Sequence, residues 1–322
     1  STLVGLYKDQ YKTAEALSVS YQALGLAEQL YGTGHIKTLG AISDLASAYH
    51  TAGELVKAEQ MWYRLYQQRL TLLGAQHPDI VNSLTNLGII NHWLGRYDKA
   101  EQYYQQCFTT ASALMGLKHP STLQCMSVLG SVYETSGQYS KAEPLIRRHV
   151  ALAQQVLGEL HPDTLRSQHN LADTYRGLGR LADAETLFRQ VLARRTDVLG
   201  SNNIETLQSQ MKLARVLLLQ HNSTEAQALL EPVYANMQAQ LGTDHPSALA
   251  AGQLLADTYL ALHKYQQALP LYQHILAQRS AKQGNHPDSV NVLVALTQLH
   301  IQQHNAEFAI LTLSQAQQLA EQ

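Results

Sequence analysis

Apolar residues recur along this chain at helical spacing, in paired stripes that each end at a glycine. In residues 157–200 the first stripe follows His161-Pro162 and ends at Gly179, and the second ends at Gly200. The members of the two stripes are Leu165, Leu171, Ala172 and Tyr175, then Ala184, Leu187, Phe188, Val191 and Leu192. Apolar positions three and four apart indicate one buried face of an α-helix, and glycine accepts the left-handed conformation that ends a helix. The pattern predicts two helices joined by a short turn.

This helix pair recurs with a period of 42 residues. The residues that mark each start are His35, His77, His119, His161, Asn203, His245 and His286, with the last interval shortened to 41. Proline follows most of them, and it suits the first turn of a helix because its missing N–H breaks no bond there. A fixed period in this range predicts a stacked array of helix pairs.

Three further positions keep the same phase and predict an all-α array. A leucine marks the first helix of each pair, helix A: Leu45, Leu87, Leu129, Leu171, Leu213, Leu255 and Leu296. An alanine marks the close approach of the second helix, helix B: Ala58, Ala100, Ala142, Ala184, Ala226, Ala268 and Ala309. A glycine ends helix B: Gly32, Gly74, Gly116, Gly158, Gly200, Gly242 and Gly284.

The motif L-G-x-x-H-P-x-T-L, followed by N-L-A-x-x-Y, G-x-Y-x-x-A-E and a terminal L-G, resembles the 42-residue tetratricopeptide repeat of kinesin light chains and many bacterial proteins. The resemblance covers essentially the whole chain. It implies a right-handed superhelical solenoid of antiparallel helix pairs, whose A helices line a concave groove for peptides or partner proteins. Because the common repeat of this type is about 34 residues long, we expect each helix here to run about one turn longer.

We expect one continuous solenoid, with a partial repeat in residues 1–30 and seven repeats in 31–322. Leu3 lies 42 residues before Leu45, so the chain opens inside a helix A, and we interpret it as a fragment of a longer protein. The glutamines of residues 315–322 predict a polar capping helix at the other end.

The last three repeats depart from the pattern where helix A ends. Glycine stands there in the earlier repeats, and His221, His263 and His304 replace it in the later ones. Histidine adopts the left-handed conformation less readily than glycine does. We therefore expect the C-terminal half of the chain to be the less stable half.

Charge and cysteine content narrow the classes of function. The net charge of −2 gives no basic surface of the kind that binds nucleic acid. Two cysteines, Cys107 and Cys125, give no disulfide framework, so we interpret each as a small core residue in a reducing, cytoplasmic compartment. No apolar run approaches the ~18 residues that a membrane span requires.

The fifteen histidines suggest a metal site, but their spacing argues against one. The marker histidines stand one per repeat, a whole helix pair apart. His300 and His304 have i, i+4 spacing, yet no acidic or cysteine partner stands near them. Phosphate-binding loops and nucleophile turns are absent from the sequence. We expect no catalytic site, cofactor or metal in this chain.

The groove positions that the resemblance assigns carry the candidate binding residues. They are Asn82, Asn86, His92 and Trp93 in one patch, and Arg166, His169, Asn170, Asp173, Arg176, Lys212 and Arg215 in a second. Because the second patch is basic within a slightly acidic chain, we expect it to bind an extended acidic segment, while Trp93 packs an apolar side chain. The alternative is a solvated helix face whose charges pair internally through Asp173.

These observations predict a protein–protein interaction scaffold. Its partner is a protein, a peptide or another domain of its own chain, and we expect an acidic segment. Two alternatives remain open. One is the sensory or autoregulatory arm of a larger bacterial signalling protein, with a serine/threonine kinase or signalling NTPase outside these residues. The other is a self-associating array that forms a homo-oligomer through its ends.

Overall fold

A computed structural model describes residues 13–283 and 287–321, and these residues form helices joined by short turns without any strand. The A helices are α2 (Ile36–Thr51), α4 (Pro78–Trp93), α6 (Pro120–Thr135), α8 (Pro162–Gly177), α10 (Ile204–Leu219), α12 (Pro246–Ala261) and α14 (Pro287–Gln302). The B helices are α1 (Thr13–Tyr31), α3 (Leu55–Leu73), α5 (Tyr97–Met115), α7 (Tyr139–Leu157), α9 (Leu181–Leu199), α11 (Ser223–Leu241), α13 (Tyr265–Gln283) and α15 (Ala306–Ala320). The expectation of an all-α fold is confirmed.

Helix lengths repeat as regularly as the sequence does. Helix α4 has 16 residues and helix α5 has 19, and the same two lengths recur in the following pairs. Only α15 is shorter, with 15 residues. The division into a partial repeat and seven full repeats stays a prediction, since residues 1–12, Gly284 and His286 lie outside the described residues.

The A helices from α2 to α12 each begin directly after their marker residue, which caps them. The Nδ1 atom of His77 accepts a hydrogen bond from the backbone N–H of Asp79 at 3.2 Å. The marker backbone is extended there, with φ −110° and ψ 140°. The same side-chain cap occurs at His35, His119, His161 and His245. Asn203 caps through its side-chain oxygen at 2.8 Å. The marker thus satisfies an N–H group that the helix itself leaves unpaired.

A residue with positive φ ends each A helix. Gly179 has φ 75°, and the histidines that replace this glycine keep the same conformation, with φ 63° at His221. His263 and His304 have φ 57° and 58°. A side chain at such a position strains the backbone by about 1 kcal/mol. The three histidines thus take the conformation of the glycines that they replace, while the lower stability of the C-terminal half stays a prediction.

The described residues form two compact units, one up to Asn170 and one from Leu171 on. In the first unit each helix from α1 to α7 packs on the next, and the A helices α4 and α6 also touch each other. Its core includes Leu45, Ala58, Trp62 and Leu87, all buried. In the second unit α9 to α15 pack in the same order, around a core that includes Phe188 and Tyr272.

The two cysteines of the first unit are joined in a disulfide, so the interpretation of two separate thiols was wrong. Cys107 on α5 and Cys125 on α6 are fully buried, and their Cα atoms lie 5.7 Å apart. Because consecutive helices pack on each other, these two positions face one another across the boundary between repeats. Disulfides persist in oxidising compartments, so cysteine content no longer supports a reducing one. No helix of the described part is long and apolar enough to span a bilayer.

The last helix is not the polar cap that its glutamines predict. Helix α15 exposes four large apolar side chains, Phe308, Ile310, Leu311 and Leu313. The side chain of Leu313 is 45 % exposed. At the same repeat position in earlier repeats the side chain is buried, as that of Tyr272 is. The glutamines occupy the end of the helix, while its middle presents an apolar surface.

Replacing His221 with glycine should stabilise the chain by about 0.5–1 kcal/mol, because glycine holds φ near +63° without strain. Urea unfolding measures this change. The reciprocal variant Gly179→His, at the equivalent position one repeat earlier, should lose a similar amount. A lower unfolding midpoint for His221→Gly would contradict the assignment of strain to this position.

Candidate functional site

The A helices present their half-buried and exposed residues on one side of each unit, which we call the A-helix face. In the first unit this face carries an aromatic pocket of about 430 Å³ between α4, α5 and α6. Trp93 stands at its edge with 67 % of its surface exposed. Tyr104 forms its buried base, and Val128 and Ser131 of α6 form the far wall. The pocket is largely apolar with a few hydroxyl groups, as suits an apolar or aromatic side chain.

A glycine makes room for the base of this pocket. A Cβ atom at Gly88 would lie 2.3 Å from the ring of Tyr104, so only glycine lets the ring sit against the backbone of α4. His92 is half-buried beside the pocket, its ring edge-on to Tyr97 at 5.5 Å, and burial lowers the pKa of His92. Of the predicted patch, His92 and Trp93 line the pocket, whereas Asn82 and Asn86 lie on the same helix without lining it.

A second pocket, of about 570 Å³, lies on the same face between α6, α7 and α8. It shares Val128 with the aromatic pocket. Its polar lining includes Gln124, His149 and Arg166, and the guanidinium of Arg166 is hydrogen-bonded to Asp163. We call it the His149 pocket. His169 and Asn170 are half-buried on α8 and do not line it.

In the second unit, two of the predicted basic residues are held by one carboxylate. Asp173 accepts hydrogen bonds from Nε of Arg176 at 2.5 Å and from Nζ of Lys212 at 2.7 Å. Burial alone would raise the pKa of Asp173, but the charge of Lys212 and the two hydrogen bonds outweigh it and hold this pKa below its usual value. The internal pairing through Asp173, which the sequence left open, is present.

Lys212 and Arg215 line a third pocket, of about 240 Å³, which we call the cationic pocket. Arg215 is exposed at its mouth, while Arg279 of α13 is buried, with 8 % of its surface exposed. Asp257 also lines this pocket beside Arg215 and Arg279, and it accepts a hydrogen bond from the hydroxyl of Tyr272 at 2.6 Å. Burial raises the pKa of Asp257, against the opposing charges of the arginines.

The comparisons with known proteins agree with this architecture. The tetratricopeptide-repeat models match residues 1–37, 38–79, 79–155, 137–197, 204–281 and 248–322, and a further model of the same repeat matches 169–238. The chain belongs to the tetratricopeptide-repeat family. Members of this family generally serve protein–protein interaction, through extended surfaces built by stacked repeats.

Solved structures place the chain near kinesin-light-chain-like repeats. A crystal structure of Podosopora anserina putative kinesin light chain nearly identical TPR-like repeats is 31 % identical, covers 64 % of this chain and 98 % of its own, and has a TM-score of 0.54. The apo form of the quorum sensor NprR from B. thuringiensis has a TM-score of 0.71 at 12 % identity, over 98 % of this chain and 86 % of its own. A Rap protein complexed with Competence and Sporulation Factor has a TM-score of 0.62 at 12 % identity, over 95 % of this chain and 86 % of its own. The last two show the fold alone. No curated protein sequence matches the chain.

Sequence reasoning missed two residues that the pockets bring forward. Arg279 shares its repeat position with Arg69 and Arg195, since their separations, 126 and 84 residues, are multiples of 42. Those two arginines donate to Ser83 and Ser209 on the next A helix. His149 stands at a repeat position where five further repeats carry an apolar residue, namely Leu65, Cys107, Val191, Val233 and Ile275. Alignment of the repeats by their helix B positions would have found both.

The variant His149→Leu should be more stable than the wild type by about 1–2 kcal/mol at pH 7, because burial desolvates the imidazole, whereas a buried leucine carries no such cost. Burial lowers the pKa of His149 to about 4, below the value of about 6.5 in an unfolded chain. As pH falls from 6.5 towards 4, residue 149 of the wild type takes up a proton in the unfolded chain but not in the folded one. The free energy of unfolding of the wild type should therefore fall by up to about 3 kcal/mol more than that of the variant.

Urea unfolding of both proteins at pH 7.5 and pH 5.0 measures this difference. All other ionisable groups are common to the two proteins, so their contributions cancel from the comparison. An equal loss of stability in wild type and variant would show that the imidazole of His149 protonates freely in the folded chain.

Proposed function

We propose that this chain binds an extended acidic segment of a partner protein along its A-helix face. The observation that carries the proposal is the cationic pocket, whose lining brings Lys212, Arg215 and Arg279 together with the carboxylate of Asp257. Lys212 is paired with Asp173, and burial disfavours the charged form of Asp257. Arg215 is the exposed cation of this lining, and the pocket volume of about 240 Å³ suits a carboxylate side chain.

Arg215 is the residue best placed to meet such a partner. It is exposed at the pocket mouth. By contrast, Lys212 already donates a hydrogen bond to Asp173, and the side chain of Arg279 is buried. Arginine presents a planar pair of N–H donors that matches a carboxylate in a two-point hydrogen bond. An acidic side chain entering the pocket would meet Arg215 first and Lys212 and Arg279 behind it.

The aromatic pocket of the first unit supplies the second element of the proposal. Trp93 leaves most of its ring in solvent beside a pocket whose base is a tyrosine. Exposed tryptophans next to well-formed pockets are the residues that most often dominate binding energy at protein interfaces. We expect an apolar or aromatic side chain of the partner to pack between Trp93 and Val128.

Selection of random peptides displayed on phage tests this function without a known partner. Peptides selected on the wild-type chain should be enriched in aspartate, glutamate and one large apolar residue. Arg215→Glu should remove the acidic enrichment, and Trp93→Ala should remove the apolar one. Affinities of a selected peptide should fall at least tenfold in each variant, as loss of a charge-assisted hydrogen bond or a buried ring predicts.

The matched control is Arg148→Glu, which reverses the charge of an exposed arginine on helix α7 that lines none of the three pockets. This variant should keep both the enrichment and the affinity. Enrichment of basic peptides on the wild type, or an equal loss of affinity in Arg148→Glu and Arg215→Glu, would contradict the proposal. The same readout applies whether the partner is a separate protein or another domain of the same one.

Self-association is a second candidate function, and helix α15 favours it. Ile310 stands at a repeat position that carries Glu59 and Glu101 in earlier repeats, where these glutamates pair with Arg96 and Lys141 of the next repeat. An apolar residue at this place, beside exposed Leu311 and Leu313, leaves a surface that can receive another apolar surface.

Light scattering between about 1 and 100 μM tests this candidate. The wild type should increase in mean mass with concentration, and the double variant Ile310→Glu, Leu313→Glu should stay monomeric because it would bury two charges on association. A constant monomeric mass for the wild type would remove self-association as a function of this chain.

A further inference from the structure

His149 is a buried imidazole in the wall of the His149 pocket. Its side chain is 7 % exposed on helix α7. The groups that interact with it electrostatically are Arg166 and Asp163, both on α8. A buried ionisable side chain that lines a pocket, beside a specific charged partner, is a candidate contact for a ligand.

The fold does not require a polar residue at this position. The corresponding residues of the other repeats are Leu65, Cys107, Val191, Val233 and Ile275, and each is fully buried. An apolar side chain therefore packs there equally well, without the cost of desolvating an imidazole. Because His149 also lines a pocket of about 570 Å³ on the A-helix face, a ligand in that pocket can reach its ring.

The rest of the lining shows what kind of group fits. Pro120, Leu123 and Leu157 give apolar walls that suit the methylene part of a side chain. Helix α6 adds the uncharged polar groups of Ser121, Gln124 and Ser127. Because none of these α6 side chains is charged, the charged groups that line the pocket from neighbouring helices are Asp163 and Arg166 of helix α8.

Those charges balance while the pocket is empty. Arg166 is paired with Asp163, and both side chains are about half exposed, so the guanidinium can turn towards a new partner. On α7 itself, Arg147 is paired with Glu143. With His149 neutral the lining has no net charge, and with His149 protonated it has a charge of about +1, which an anion balances.

We propose that the His149 pocket holds the carboxylate of a glutamate or aspartate side chain of the bound segment, between the guanidinium of Arg166 and the imidazolium of His149. This inference rests on the proposed function, because it names a further contact of the acidic segment, on the A-helix face of the first unit. It assigns to the first unit an acid-binding position of its own, next to the aromatic pocket that shares Val128 with it.

Binding at this position takes up a proton. Burial first, and the charge of Arg166 second, lower the pKa of His149 to about 4, while Asp163 opposes them. An incoming carboxylate adds a second negative charge beside the ring and raises this pKa, so the imidazole becomes protonated on binding. Affinity for the acidic segment should therefore rise as pH falls, by up to tenfold per pH unit between the free and the bound pKa.

Nuclear magnetic resonance of the imidazole of His149 tests the proposal, with N-acetylglutamic acid α-amide as the probe and N-acetylglutamine α-amide as its uncharged match. The spectrum of His149→Leu identifies the resonance. At saturating acidic probe and constant ionic strength, the titration midpoint of His149 should rise by at least one pH unit. The glutamine probe should leave it unchanged, and Arg166→Gln should weaken binding of the acidic probe at least tenfold while Arg148→Gln does not.

An equal response to the two probes would show a site for an uncharged polar group, and no response would show that the pocket takes no such side chain; either result overturns the proposal. A peptide selected on the wild type separates this failure from failure of the proposed function. If acidic peptides bind through Arg215 but show the same pH dependence in wild type and His149→Leu, the function stands and this contact is wrong. If no acidic peptide binds, the proposed function is wrong, and the titration midpoint of His149 with the small acidic probe still shows whether the pocket takes a carboxylate.

Discussion

The structure depends on how each A helix begins and ends. A side-chain nitrogen or oxygen of the marker residue accepts a hydrogen bond from the N–H group two residues later. A residue with positive φ follows the end of the 16-residue helix, as Gly95 follows helix α4. These two constraints fix where the chain turns and therefore which face of each helix is buried. Repetition of the constraints at 42-residue intervals places equivalent side chains in equivalent surroundings. Packing between neighbouring helices then supplies most of the stability.

Departures from this regularity are more informative than the regularity itself. Where a repeat position is apolar and buried in most copies, a polar residue such as His149 carries a cost that the fold does not demand. Where the position is charged and paired in most copies, an apolar residue such as Ile310 leaves a surface without its usual partner. Arg279 of the cationic pocket keeps the regularity instead, since it shares its repeat position with two arginines that bond to the next A helix.

The sequence predicted the helix pairs, their caps and their ends, because these depend on residues close together in the chain. It also predicted that histidines would take the place of glycine at positive φ, as His221 does. It did not predict the disulfide, since Cys107 and Cys125 meet only when two helices of different repeats pack together. For the same reason it placed Trp93 and Arg215 on the A-helix face but missed Arg279 and His149, which lie on B helices and line pockets of that face.

A crystal structure of the chain with the most enriched selected peptide tests the central claim most directly. We expect the peptide to lie on the A-helix face, with an apolar side chain against Trp93 or a carboxylate against Arg215 or His149. A peptide bound to the outward side of the B helices, or to the apolar surface of α15 alone, would contradict the claim that the register of the repeats builds the binding site.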